Sequence, residues 1–194
     1  MVRDALRALV AMVAFTIICG AIYPAAVWAV GEAAFARQAN GSILHVGGRA
    51  VGSSQIGQTF TSARYFHPRP TALAVAGREF YDASTSGGSN LGPNSKLLAQ
   101  TVHARLVAVE RTYHVTAAQV PADMVTASFS GLDPDISVQN ARIQAPVVAR
   151  ARGIAVARVL DLIRARTATP TLGVIGSTRI NVLDLNLALD RAAR

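Results

Sequence analysis

Cysteine is all but missing from this chain: Cys19 stands alone, and it lies in an apolar run. No disulfide can therefore staple the folded part, and cysteine usage gives no pointer to a redox compartment. Acidic residues are scarce as well, 11 Asp and Glu against 19 Lys and Arg, which leaves a formal net charge of +8. Six arginines against one aspartate fall between Arg142 and Arg166, so much of the excess is one basic helical face. Nothing interleaves aromatics with these arginines and no nucleic-acid module is recognisable, so the face reads first as solvated, next as a surface for an acidic partner or membrane lipid headgroups, and nucleic acid is not the expected partner. His45, His67, His103 and His114 sit in separate segments without a His-x-x-x-His pair or a cysteine, and no metal site is expected. Internal repeats are absent too.

Charge disappears altogether from Ala8 to Val30. Coiled as a helix at about 1.5 Å per residue, this run reaches roughly 35 Å, enough to cross a hydrocarbon core of about 30 Å. A cleaved secretory signal is the rival reading, with Arg3 and Arg7 as its basic flank and Ala34-Phe35-Ala36 as a cleavage look-alike. Signal cores, however, run to about 7–15 residues, and Tyr23 and Trp28 stand where interfacial aromatics belong. The expected organisation is a short cytoplasmic N-terminus (1–7), a transmembrane helix (8–30) and one extracytoplasmic domain (31–194). Orientation follows from Arg3 and Arg7 crowding the N-terminal side. Ala21, Ala25 and Ala29 repeat at small-x-x-x-small spacing, the pattern that lets a partner helix approach closely, and Pro24 predicts a kink.

Beyond the span, Gly31 to Arg49 reads as a Gly-rich crossing with a weak hairpin. Gln55 to Phe60 and Val120 to Ser128 read as strands, and the Pro-containing stretch Thr61 to Thr71 reads as a loop. A helix with Leu98, Val102, Leu106 and Val109 on one face runs to Tyr113, and Thr116 caps a brief second run. Ser137 caps a helix that Gly153 breaks, Ile154 to Ala165 forms another, and Asn181 caps the last. Leu172 to Ile180 is β-prone. Short strands mixed irregularly with amphipathic helices indicate an α+β domain behind a single N-terminal transmembrane helix.

Candidate chemistry is sparse. Ser86-Gly-Gly-Ser-Asn90 reads first as a structural turn; because it opens toward a helix, an anion or partner contact is the alternative, although the Gly-x-x-x-x-Gly-Lys-Ser/Thr spacing is missing. Asp133 and Asp135 flank Pro134 as turn and capping groups, and together with Asp82 they provide weak electrostatic focusing of a monovalent cation. An anchored extracytoplasmic serine hydrolase using Ser128 or Ser130 is the enzymatic alternative, although Gly-x-Ser-x-Gly is not present. A free-standing catalytic constellation is not visible, so no enzyme activity is expected of the chain on its own.

Several motifs in order resemble the KdpC family: Gly57-Gln-Thr-Phe60, Tyr65-Phe66 with Arg69-Pro70, Ser86-Gly-Gly-Ser-Asn-Leu91, Val125-Thr-Ala-Ser128, Ser130-Gly-Leu-Asp133, Gln144 with Pro146, and Asn181-Val-Leu-Asp-Leu-Asn-Leu-Ala-Leu189. The resemblance covers the chain from its anchor to its last helix. It implies an accessory subunit of the bacterial Kdp potassium-transporting P-type ATPase in the cytoplasmic membrane. Its partners are then a channel-like potassium-binding A subunit, an ATP-hydrolysing B subunit and a small F subunit. Such a chain has no cofactor of its own, because ATP and potassium are handled by the complex. The family has been described as aiding ATP binding, and the matching positions here are Gln144, Ser86, Gly87 and Gly88. Phe129, Val138 and Val147 depart from the family pattern.

Overall fold

The computed structural model describes residues 1–75 and 78–192. They fall into two compact units, Met1–Val51 and the stretch from Gly52 onward. In the first unit α1 (Val2–Ile17) and α2 (Tyr23–Ala39) run into one another through a π-helical turn, Ile18–Ile22, giving 38 residues of continuous helix. The wide turn has a local cause. Pro24 cannot donate to the carbonyl of Gly20 and its ring crowds that oxygen. The backbone responds with a bond from the Tyr23 N–H to the Ile18 carbonyl, five residues back. At Pro24, then, the expected kink takes the form of a π turn, and a second irregularity sits at Phe35, where φ is −137°.

No residue of α1 or α2 is buried. A helix this long, apolar and uncovered is compatible with a single membrane pass. It also outruns the expected span at both ends, continuing through Glu32 and Arg37 to Ala39. Asn40 stops it by turning its side-chain amide back onto the Glu32 carboxylate at 3.1 Å and the Ala36 carbonyl at 2.8 Å. A hairpin follows, β1 (Ile43–Val46) and β2 (Arg49–Ser53). Gly47 (φ 57°) and Gly48 (φ 79°) supply the two left-handed residues that its tight turn requires.

The second unit is α+β. Its core lies between α4 (Val138–Arg152), α5 (Val156–Arg166), α6 (Val182–Ala192) and a three-stranded antiparallel sheet ordered β5 (Asp135–Ile136), β7 (Arg179–Asn181), β6 (Thr167–Ala168). Small side chains on α4, among them Ala141, Ala145 and Ala149, let the neighbouring elements close in around Val159, Ile163, Ile180, Leu185 and Leu189. Ser137 caps α4 by accepting from the Asn140 N–H at 3.1 Å. Gly153, in the left-handed region at φ 68°, ends it, with the Ile154 N–H returning to the Ala149 carbonyl as a Schellman turn requires.

A short hairpin, β3 (Ala74–Val75) with β4 (Arg78–Glu79), and α3 (Lys96–Tyr113) complete the unit. The expected stripe on α3 is only half-buried, and none of that helix is fully buried.

Two expected strands do not form. Residues 120–126 fold into local turns, a 3-10 turn at Ala122–Met124 among them, whose bonded N–H groups reach carbonyls three or four residues back, and the Ser128 N–H bonds the Pro70 carbonyl at 3.0 Å. Gln55–Phe60 has no strand beside it, and its Gly57 N–H bonds the loop carbonyl of Leu132 at 2.8 Å. Of Leu172–Ile180, only the end joins the sheet.

Candidate functional site

Phe66 is completely buried in the core although it belongs to a segment without secondary structure. Its backbone polar groups consequently need partners away from water. Two side-chain amides supply them. Asn186 of α6 accepts from the Phe66 N–H at 2.8 Å and donates to the Phe66 carbonyl at 2.9 Å. Gln144 of α4 does the same for His67, at 2.8 and 3.0 Å. A carboxamide carries the donor and acceptor of a peptide group, so these two residues act together as a substitute neighbouring strand. Gln144 donates its other proton to Asn140 Oδ1 at 2.7 Å, and Asn140 in turn donates to Asp123 at 3.0 Å. Asp123 also accepts from the backbone N–H and hydroxyl of Ser137, so the network reaches the start of α4.

The rest of the segment is fastened one residue at a time. Arg64 donates to the Ala151 carbonyl, Tyr65 donates to Asp190, and Arg152 lies 4.8 Å over the Tyr65 ring while pairing with Asp190 at 2.8 Å. Arg69 pairs with Asp133 at 2.8 Å, both largely shielded from solvent. Tyr81 donates to the Arg69 carbonyl at 2.9 Å, and its phenol is pushed well above its ordinary pKa by burial and secondarily by Asp133. Gln144, Asn140, Arg69 and Tyr81 border a cavity of about 230 Å³ together with Tyr113 and Met124.

Ser86, Gly87 and Gly88 lie against another loop. The Ser86 hydroxyl and the Gly87 N–H both donate to the Ser130 carbonyl, at 3.0 and 2.9 Å. A Cβ on Gly88 would stand 2.8 Å from the Phe129 carbonyl oxygen, so glycine is required there by close backbone approach. Among the described residues no hydrogen bond joins this loop to Gln144. Ser128 and Ser130 bond one another at 3.0 Å and brace the turn by accepting from the N–H groups of Gly131 and Leu132. Neither hydroxyl has a histidine among its bonded partners, and nothing in this arrangement supports a serine hydrolase.

Asp133 and Asp135 do come together, while Asp82 stays with its own turn. Asp133, Asp135 and Asp123 border a cavity of about 380 Å³ with Arg69 and Arg179, so three carboxylates face two guanidiniums. Asp135 pairs with Arg179 at 3.1 Å; its carboxyl is nonetheless raised, first by burial and then by Asp133. Asp82 is lowered, chiefly by the hydroxyl of Ser84, which donates to it at 2.6 Å. No cluster of three His, Cys, Asp or Glu suited to a metal ion occurs among the described residues. Ala25 and Ala29 keep the four-residue register of a regular helix, whereas Ala21 sits inside the π turn.

Sequence reasoning gives Asn140, Asp123 and Tyr81 no role, and it names Arg69 and Asn186 only as parts of motifs. One signal was present: Asn186 interrupts the apolar face formed by Leu183, Leu185 and Leu189, and a polar residue on a core face needs a partner.

Residues 5–191 match the family described as KdpC, the c chain of K+-transporting ATPase. The chain is 49% identical to the potassium-transporting ATPase KdpC subunit of Mycobacterium bovis over 190 residues, which is 97% of this chain and 98% of that protein. It is 51% identical to the protein of that name from Myxococcus xanthus over 96% of this chain and 87% of the relative. For Geotalea uraniireducens the identity is 45%, over 96% and 97%.

Proposed function

The chain belongs to the KdpC family of K+-transporting ATPase subunits, and from that premise we propose that it serves its complex as a non-catalytic, membrane-anchored assembly subunit. Helix α1–α2 docks beside the potassium-binding, ATP-hydrolysing and small subunits of the pump. The N-terminus lies in the cytoplasm, the α+β domain lies outside at the potassium entrance, and ATP and potassium are handled by the partners. The cleft of Asp133 and Asp135, and separately Asp82 in its own turn, draw cations weakly and do not coordinate them.

One observation carries this reading: the side chains of Gln144 and Ser86 and the N–H of Gly87 are spent on the domain's own architecture. Both Gln144 amide protons and its carbonyl oxygen are bonded inside the protein. Gln144 and Ser86–Gly88 thus shape the domain instead of touching nucleotide. Deleting Met1–Val30 tests the anchor, with loss of co-purification of the other subunits expected and full assembly refuting it. For sidedness, a Phe129→Cys, Cys19→Ala chain is expected to react with a membrane-impermeant thiol reagent added outside intact cells. Protection until the cells are broken would reverse the orientation.

A further inference from the structure

The arginines of α4 and α5 are not equivalent. Arg152 is buried against Asp190 and Tyr65, and Arg158 donates to the Ala192 carbonyl at 2.9 Å. Arg142, Arg150, Arg164 and Arg166 are left on the outside, with Asp161 as the only carboxylate between Arg142 and Arg166. Arg164 pairs with Asp161 within one helix, both about two-thirds exposed, a solvent-screened pair that is readily exchanged for another anion. Arg142, near the start of α4, and Arg164, near the end of α5, converge on one cavity of about 420 Å³ with Thr167 and Thr178. Thr167 donates inward to the Ile163 carbonyl, so the donors facing the cavity are two guanidiniums and the Thr178 hydroxyl. Planar N–H forks beside a hydroxyl suit the oxygens of a phosphate ester.

We propose that this basic face binds the phosphodiester of an anionic phospholipid headgroup. The proposal rests on the reading of α1–α2 as a membrane anchor. Two observations favour a headgroup over a free phosphate. Only residues 40–51 separate the helix from the second unit, and chain of that length spans at most roughly 40 Å. The positive charge also extends beyond that cavity: Arg150 stands exposed about two turns along α4 from Arg142. Beside an anionic leaflet each basic residue contributes roughly fivefold in partition, and salt screens the effect.

The test uses the full chain in lipid nanodiscs, carrying Cys19→Ala and a donor dye on Ala165→Cys, with an acceptor dye on lipid headgroups. Energy transfer is expected to be higher in discs of phosphatidylcholine with phosphatidylglycerol than in phosphatidylcholine alone, and to fall as salt is raised. The double variant Arg142→Glu, Arg164→Glu is expected to return it to the phosphatidylcholine value, and Arg142→Gln, Arg164→Gln to lower it part of the way. Circular dichroism confirms that the variants fold. Equal transfer in both discs, or transfer that ignores the substitutions, overturns the proposal. Equal protection of Arg164 from phenylglyoxal by inorganic phosphate, without any phosphatidylglycerol effect, also overturns it and identifies a free-anion site. A chain that enters neither disc refutes the anchor and the headgroup site with it, whereas entry without lipid dependence refutes the headgroup site alone.

Discussion

Replacing Gln144 by alanine removes three hydrogen bonds and strands three groups: the N–H and carbonyl of His67 and the Oδ1 of Asn140. An unsatisfied buried polar group costs about 1–3 kcal/mol. Gln144 borders a cavity of about 230 Å³, so water can reach part of the vacated position and offset some of the loss. A net destabilisation of about 2–4 kcal/mol follows, equivalent for a domain of this size to a fall in Tm of roughly 6–12 °C. The assay is thermal unfolding of the full chain in detergent, followed by circular dichroism. Gln144→Leu restores the volume without the hydrogen bonds and should fall about as far, which identifies the deficit as polar. Because Asn186 holds the adjacent residue, Gln144→Ala and Asn186→Ala should couple by at least about 0.5 kcal/mol in a double-mutant cycle. A Tm within about 1 °C of the parent for both Gln144 variants, with the assembled pump losing affinity for ATP, would refute the clamp and assign Gln144 to nucleotide.

Three further expectations concern other parts of the molecule. A Cβ at Gly57 would collide with the Tyr81 ring and stand 2.6 Å from the Asp133 carbonyl oxygen, so Gly57→Ala should cost about 2 kcal/mol or more in denaturant unfolding; an unchanged midpoint would refute the close packing. In the anchor, Ala25→Leu should reduce co-purification with the pump more than Val13→Leu does, and equal effects would leave the helix as a tether. Asp135 has a folded pKa above its unfolded one, so the folded state binds its proton more tightly. Its contribution to stability is therefore unfavourable at neutral pH and improves as pH falls through the folded value toward the unfolded one. Asp135→Asn deletes that contribution. Between about pH 7 and about pH 4 the variant should lose stability more steeply than the parent, and parallel curves would refute the assignment.

Local rules account for the elements that were legible. Ser137 caps because a hydroxyl can take an orphan N–H of the first turn, and Gly153 stops α4 because it enters the left-handed region without a Cβ penalty. The same rules overcalled strands at 55–60 and 120–128. A β-prone sequence becomes a strand only when another strand lies alongside, and here the neighbours are loops and side chains. The helix runs past the expected span for a related reason: loss of apolar character marks where a bilayer would stop, not where helical hydrogen bonding stops, and helix continues through Glu32 and Arg37.

The candidate site divides along the same line. Ser86–Gly88, Gln144 and the Tyr65–Pro70 stretch stood out as residues, but their relation to one another did not. Gln144 and His67 are 77 positions apart, and Phe66 and Asn186 are 120. No local pattern encodes a carboxamide arriving where a strand would otherwise have been.

By itself the sequence determined the long uncharged helix, the caps and stops of the α+β domain, the lack of any disulfide and the family resemblance. These depend on composition and on spacings of three or four residues, which a linear chain carries openly. Only the tertiary structure decided that a buried loop is completed by two amides, that Asp133 and Asp135 are each answered by an arginine, and which arginines of α4 and α5 remain outside. Those outcomes depend on which buried groups must find partners once the core closes, and that is settled by residues far apart in the chain.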